Sequence, residues 1–347
     1  MLKSAVMTVL GLGMFGAVLE AAPPGSLSPD ETVVRPLRPS PSKAYELDTP
    51  DLGDVPAVTR FDLPEVREAY LREYARVANE QTASELDEVE VPDLDAERGF
   101  QALYPMSAHT SLSELAAQYW GLAPSRVAKI KSAGDQPDVY QSGLDNTYNQ
   151  QWSHAFLLNG NGTWFWGDAD DDFHDNLDGD SGEWESPEGL NGKSAKDYYQ
   201  AGNQQQGDWY LGYATHYIED VNLVVHTSFP SRLDLLSKHF AFEDWIAANL
   251  TTGHRLLAAA ASDPYYYAVT DPKASINNAA YFVCYGQGGV GKRVWDAYVA
   301  SGYPTGAGTG SSALVSAAKE MMIRAARYTR GTIKYALDRY GQWSARY

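Results

Sequence analysis

Two histidine–carboxylate pairs constrain this chain more than any other feature. In "HYIEDVNLVVH", residues 216–226, His216 and Asp220 stand four apart; in "HFAFE", residues 239–243, His239 and Glu243 repeat the spacing. Four residues is about one helical turn, so each pair projects from one helix face. The flanking residues are largely apolar, which predicts buried helices, and an unpartnered carboxylate there costs several kcal/mol. A single pair is satisfied by a hydrogen bond between imidazole and carboxylate. Here the pair is repeated with His226 between, putting five nitrogen and oxygen donors into residues 216–243 of a chain with seven histidines. Imidazole plus carboxylate is a zinc-type donor set. The repetition favours metal over two unrelated hydrogen bonds.

The order His-x₃-Asp-x₅-His followed by His-x₃-Glu resembles the zinc-dependent bacterial phospholipase C family, within the phospholipase C and zinc nuclease superfamily. The resemblance covers residues 100–343, is specific over 216–243 and looser upstream. It implies an all-α domain with clustered zinc ions, three in number and at least two. Three upstream segments match further family ligands: His109 in "SAHTSL", Asp138 in "GDQPDVY" and His154 in "QWSHAF", with Asp135 the alternative to Asp138. Carried over, Asp138, His154, His216 and Asp220 hold one zinc, and His226, His239 and Glu243 hold a second. His109 and a bridging Asp220 hold a third. Asp138 is the candidate catalytic residue, orienting or deprotonating the attacking water. The implied activity is hydrolysis of a phosphatidylcholine-like phospholipid to diacylglycerol and a phosphorylated head group.

Three departures from the family pattern bear on that expectation. The family completes its third zinc with an amino-terminal Trp, and no Trp precedes His109 here. Cleavage near "ERGF" would free the amine of Gly99 or Phe100 for that role; otherwise the site holds two zincs. Glu219 stands where the family usually has Gly. It is expected to face solvent, the alternative being a carboxylate that tunes a zinc-bound water. Val224 replaces a Pro, which puts in doubt the kink that aims His226 at the second metal.

The rest of the chain reads around this block. Residues 1–22 are expected to be a signal peptide, with Lys3 ahead of an apolar run too short for a comfortable membrane span. Residues 23–98, rich in Pro, Ser and acidic side chains, read as a propeptide or extension with a helix after Asp62. Residues 99–347 read as one all-α catalytic domain of eight to ten helices, with a Ser111/Glu114 capping box opening its first helix. The Gly- and Asn-rich stretch 140–193 reads as a long functional loop. Within it, Tyr148, Trp152, Trp164 and Trp166 are candidates for lipid or choline contact, or for packing. "GQGGVGKR" has Arg293 where a phosphate-binding loop needs Ser or Thr, and reads as a Gly-rich turn. The acidic run 168–185 departs from a calcium-binding loop and reads as solvated, with His174 unassigned.

Charge narrows the partners. A formal net charge of −18 disfavours nucleic acid and anionic membrane surfaces. The single Cys284 cannot form an internal disulfide, so metal is a candidate staple for an exported chain. The expected protein is a secreted or periplasmic monomer that meets phospholipid only at a membrane or micelle surface. The related zinc nucleases, and a metal-stabilised secreted binding protein without activity, are the alternatives. Glu243 and the short gap after His226 favour the phospholipase over the nuclease.

Overall fold

Helix periodicity dominates the chain from residue 107 onward, and the computed structural model follows it. It describes residues 45–47, 107–141, 154, 156–158, 164–167, 169–179, 193–227, 238–284 and 289–343. All belong to one compact unit, Pro36–Tyr347. Most of them are helical and few are in strands, so the domain is all-α as expected. The helices are α1 (Ser107–Tyr119), α2 (Pro124–Lys131), α3 (Gln136–Gln141), α4 (Ala169–Leu177), α5 (Ala195–Gln200) and α6 (Gln204–Asp220), followed by α7 (His239–Leu250), α8 (Leu256–Ser262), α9 (Pro272–Cys284), α10 (Val290–Ala300) and α11 (Ser312–Arg339). A 3₁₀ turn, Val224–His226, joins α6 towards α7. Strands are β1 (Tyr45–Leu47), β2 (Leu157–Leu158), β3 (Trp164–Trp166) and β4 (Tyr265–Tyr267); β1 pairs with β4 in parallel and β2 with β3 antiparallel.

At the centre lies α6. Every residue from Tyr210 to Asp220 is buried, which marks a helix surrounded by others. Its N-terminus is capped by Asn203, whose side chain accepts from the Gln206 amide, and Gly202 at φ +76° separates it from α5. Two apolar clusters flank it. One gathers Ala214, Tyr217, Ile218 and Val221 with α2, α4 and α9; the other gathers Val224, Val225, Phe242 and Ile246 with α1, α10 and α11. Close approach to α2 depends on Gly212, because a Cβ there would sit 2.1 Å from the Ile130 carbonyl oxygen. The 28-residue α11 packs along α1, α6, α8, α10 and β4, with Gly331 against the Tyr267 carbonyl.

Several local expectations are corrected. The first helix begins at Ser107, so Ser111 and Glu114 lie inside it; Glu114 instead reaches Lys131 of α2 at 2.6 Å. His109 is therefore on the first turn of that helix. Asp138 lies in the first turn of α3. Part of the stretch read as a loop is helical: in α4, Ala169, Phe173 and Leu177 recur at i, i+4 and i+8 and are buried, while Asp170–Asp172 favour the helix N-terminus. The acidic run is accordingly not wholly solvated; Asp172 and Asp178 are buried, and His174 pairs with Asp175 at 3.1 Å. Residues 45–47, inside the segment read as linker, form β1. Of "GQGGVGKR", Gly289, at φ +63°, precedes α10, but Val290–Arg293 are the first turn of that helix and not part of a turn. Residues 1–44, the helix expected after Asp62, Gly99, Phe100, Tyr148 and Trp152 lie outside the described residues. Among the described residues, no helix is long and apolar enough to cross a membrane.

Candidate metal centre

Helix geometry sets the first pair. His216 and Asp220, one turn apart near the C-terminal end of α6, bring Nε2 and Oδ2 to 3.1 Å. From outside the helix, His154 places Nδ1 2.9 Å from His216 Nε2 and 2.7 Å from Asp220 Oδ2. Asp138 of α3 adds Oδ1 at 3.5 Å from His216 and 3.8 Å from His154. These separations bracket the edge of a tetrahedron with ligand distances of about 2.1 Å, which is ~3.4 Å. The His216 ring is oriented from behind, since Nδ1–H donates to the Gly134 carbonyl at 2.8 Å and turns Nε2 to the cluster.

The second pair meets His226 in the same way. On α7, His239 Nε2 lies 2.7 Å from Glu243 Oε1, and His226 Nε2 approaches that oxygen at 3.2 Å. The two rings meet edge to face, with centroids 4.9 Å apart. Three protein donors of this kind leave a coordination position open. The chain reaches His226 without the missing Pro: α6 ends at Asp220, Leu223 is extended (φ −94°, ψ 136°), and the 3₁₀ turn swings His226 round. A backbone bond from the Leu223 amide to the Asp220 carbonyl, 2.7 Å, makes that break tight.

Asp220 joins the two sets and a third. Its Oδ2 faces His154 and His216, while its Oδ1 faces His109 Nε2 at 3.3 Å and His226 Nε2 at 3.7 Å. Three groups of donor atoms are close enough to share an ion: Asp138, His154 and His216; His109, His216 and Asp220; and His226, His239 and Glu243. All eight residues singled out in the sequence are thus in the cluster. The grouping differs in two details: Asp220 falls with His109 and not with Asp138 and His154, and His216 lies near His109 as well, with ring centroids 3.9 Å apart. His216 Nε2 can serve only one of the two groups it borders.

The electrostatics follow from burial and mutual contact. Burial disfavours the Asp220 charge, but His216, His226 and His109 outweigh it and hold the carboxyl well below its usual range. Burial and the neighbouring His216 push the His109 imidazole down, while Asp220 and Glu219 prevail and raise it to about 9. His216 and His226 are raised by the carboxylates despite burial, and His154 is lowered chiefly by burial. Asp138 Oδ2 is buried without a hydrogen-bond partner, and it would not remain so in a core built for hydrogen bonding alone. Five imidazoles and three carboxylates, enclosed and mutually facing, fit divalent cations. These clusters are able to hold metal ions.

Glu219 is the clearest correction. It does not face solvent: it is 2% exposed, and Oε2 accepts from His109 Nδ1 at 2.8 Å. Its Oε1 lies 3.0 Å from Thr329 Oγ1 on α11 and 3.4 Å from Ser113 Oγ on α1. Thr329 and Ser113 were invisible to pattern reading. Glu219 was not, because three residues after His216 it shares that helix face. Asp135, the alternative to Asp138, is buried nearby and has one carboxylate oxygen without a partner.

No protein-family model, curated protein or solved structure matches this chain. The site must therefore be read from its own chemistry.

Proposed function

We propose that the chain is a secreted or periplasmic zinc-dependent phosphodiester hydrolase of the phospholipase C type, monomeric and acting on phosphatidylcholine-like lipid. The observation that carries this reading is that Asp220 faces four histidines, His109, His154, His216 and His226, with Asp138 beside His154 and His216 and with His239 and Glu243 beside His226. In this reading Asp138, His154, His216 and Asp220 hold one zinc, and His226, His239 and Glu243 hold a second. His109 and Asp220 hold a third.

Zinc in these positions supplies Lewis acidity towards phosphoryl oxygens and lowers the pKa of water into the neutral range. The chain's own residues do the rest. Asp220 keeps its two oxygens directed to different donor sets, so the parts of the site keep their spacing. Asp138 presents Oδ1 to His216 and leaves Oδ2 without a partner, and that oxygen is the acceptor for the proton of an attacking water. A protein of net charge −18, with three carboxylates in this cluster, repels phosphate diesters unless cations are bound there.

Purified protein assayed on phosphatidylcholine and on single-stranded DNA, with and without chelator, tests the reading. Chelator-sensitive release of diacylglycerol and a phosphorylated head group is expected. Release of nucleotides without diacylglycerol would move the assignment to the zinc nucleases. Inactivity on both substrates at full zinc occupancy would favour a binding role.

A further inference from the structure

We propose that Glu219 is a positioning residue that fixes the tautomer and orientation of His109 and so builds the metal position at His109 and Asp220. The inference rests on the metal reading above and concerns the position for which no amino-terminal Trp is present.

The argument begins with proton placement. A neutral imidazole carries one N–H, and an ionised carboxylate only accepts. With an ion on Nε2 the ring's remaining proton is on Nδ1, and Glu219 Oε2, 2.8 Å away, is placed to accept it. That second nitrogen is the one 3.3 Å from Asp220 Oδ1, within the His109, His216 and Asp220 group. The arrangement parallels His216, where the Gly134 carbonyl takes Nδ1–H and Nε2 faces the cluster. A carboxylate behind a ligating imidazole also raises its basicity towards a cation, more strongly than a carbonyl does.

Glu219 is itself held from two sides. Thr329 of α11 and Ser113 of α1 bracket Oε1, so its carboxylate plane is set without help from His109. Ser113 is in turn 2.8 Å from Thr215 of α6, closing the network. A wholly buried carboxylate at this point is costly unless its charge is used, and the imidazole of His109 is the group it faces.

The test compares wild type with Glu219→Gln, which keeps the size and the contacts to Thr329 and Ser113 but removes the charge. Metal per chain is measured against graded chelator, and the ring nitrogens of ¹⁵N-histidine-labelled loaded protein are observed by NMR. Glu219→Gln should lose one metal equivalent about 10–100-fold more readily, with the others unchanged. In wild type, His109 should show a protonated Nδ1 and a metal-bound Nε2. His109 protonated on Nε2 in wild type would overturn the proposal without recourse to any variant. So would equal retention of every metal by Glu219→Gln, or loss of all metals in parallel with a lower unfolding temperature. Wild type that takes up no metal would overturn the metal reading and this inference together; wild type that loads while the variant loads equally removes only the role of Glu219.

Discussion

Asp220 is the residue on which most of the centre's geometry depends. It faces four histidines and is fully enclosed, so Asp220→Asn removes the charge that three of them stabilise. The expected result is loss of metal, read by elemental analysis, together with about 3–5 kcal/mol of stability in denaturant unfolding. Normal metal content and normal unfolding would count against a bridging role. The histidines give a pH dependence of defined sign. His109 is raised to about 9, above its ordinary value near 6.5, so its contribution to the metal-free fold is complete below pH 6.5 and is lost as pH rises to about 9. His216 and His226 shift in the same direction, and His154 opposes them. Chelator-treated protein should therefore melt at progressively lower temperature between pH 6.5 and 9. Metal-loaded protein, in which the ligating nitrogen of each ring carries no proton, should not.

At the scale of elements, α6 positions the site because it is pressed against α2. Gly212 is the point of contact, and Gly212→Ala puts a methyl group into the Ile130 carbonyl. The helix must move outward, and with it His216 and Asp220, one turn and two turns further along. A loss of about 1–3 kcal/mol is expected, and weaker metal retention should accompany it in a chelator titration. A normal melting curve would show that α6 and α2 have slack at that crossing. The other decisive element is the break after Asp220. Helix α6 stops there, and the 3₁₀ turn redirects the chain so that His226 meets α7 instead of continuing round α6.

On the scale of the whole molecule, α11 ties the domain together through a clamp that shares no residue with the metal cluster. Asp263 accepts from Arg327 in a two-pronged contact, 2.8 and 2.9 Å, and from the buried Arg330 at 3.3 Å. Arg330 also reaches the carbonyls of Ala260, Asp263 and Tyr265, joining α8, β4 and α11. Asp263→Ala leaves two arginines without their carboxylate and should cost about 3–5 kcal/mol in denaturant unfolding. Metal content of the folded protein should be unchanged. Parallel loss of metal would mean that the centre and this clamp are one cooperative unit.

What could be read from the chain alone was what helix periodicity controls. The spacing of His216 and Asp220, and of His239 and Glu243, determined that each pair shares a face, since one turn of helix is a local fact. The all-α class followed from the same periodicity. Tertiary packing decided the rest. Whether Glu219 points outward or inward depends on α1 and α11 closing over it, and no local rule contains Ser113 and Thr329. Likewise α4 forms where Gly, Asn and Asp suggested a loop, because Phe173 and Leu177 find a core to enter. His109, Asp138 and His154 become neighbours of Asp220 only when chain segments far apart in sequence are brought together, and that approach is set by contacts such as Gly212 on Ile130 and Gly134 beside His109.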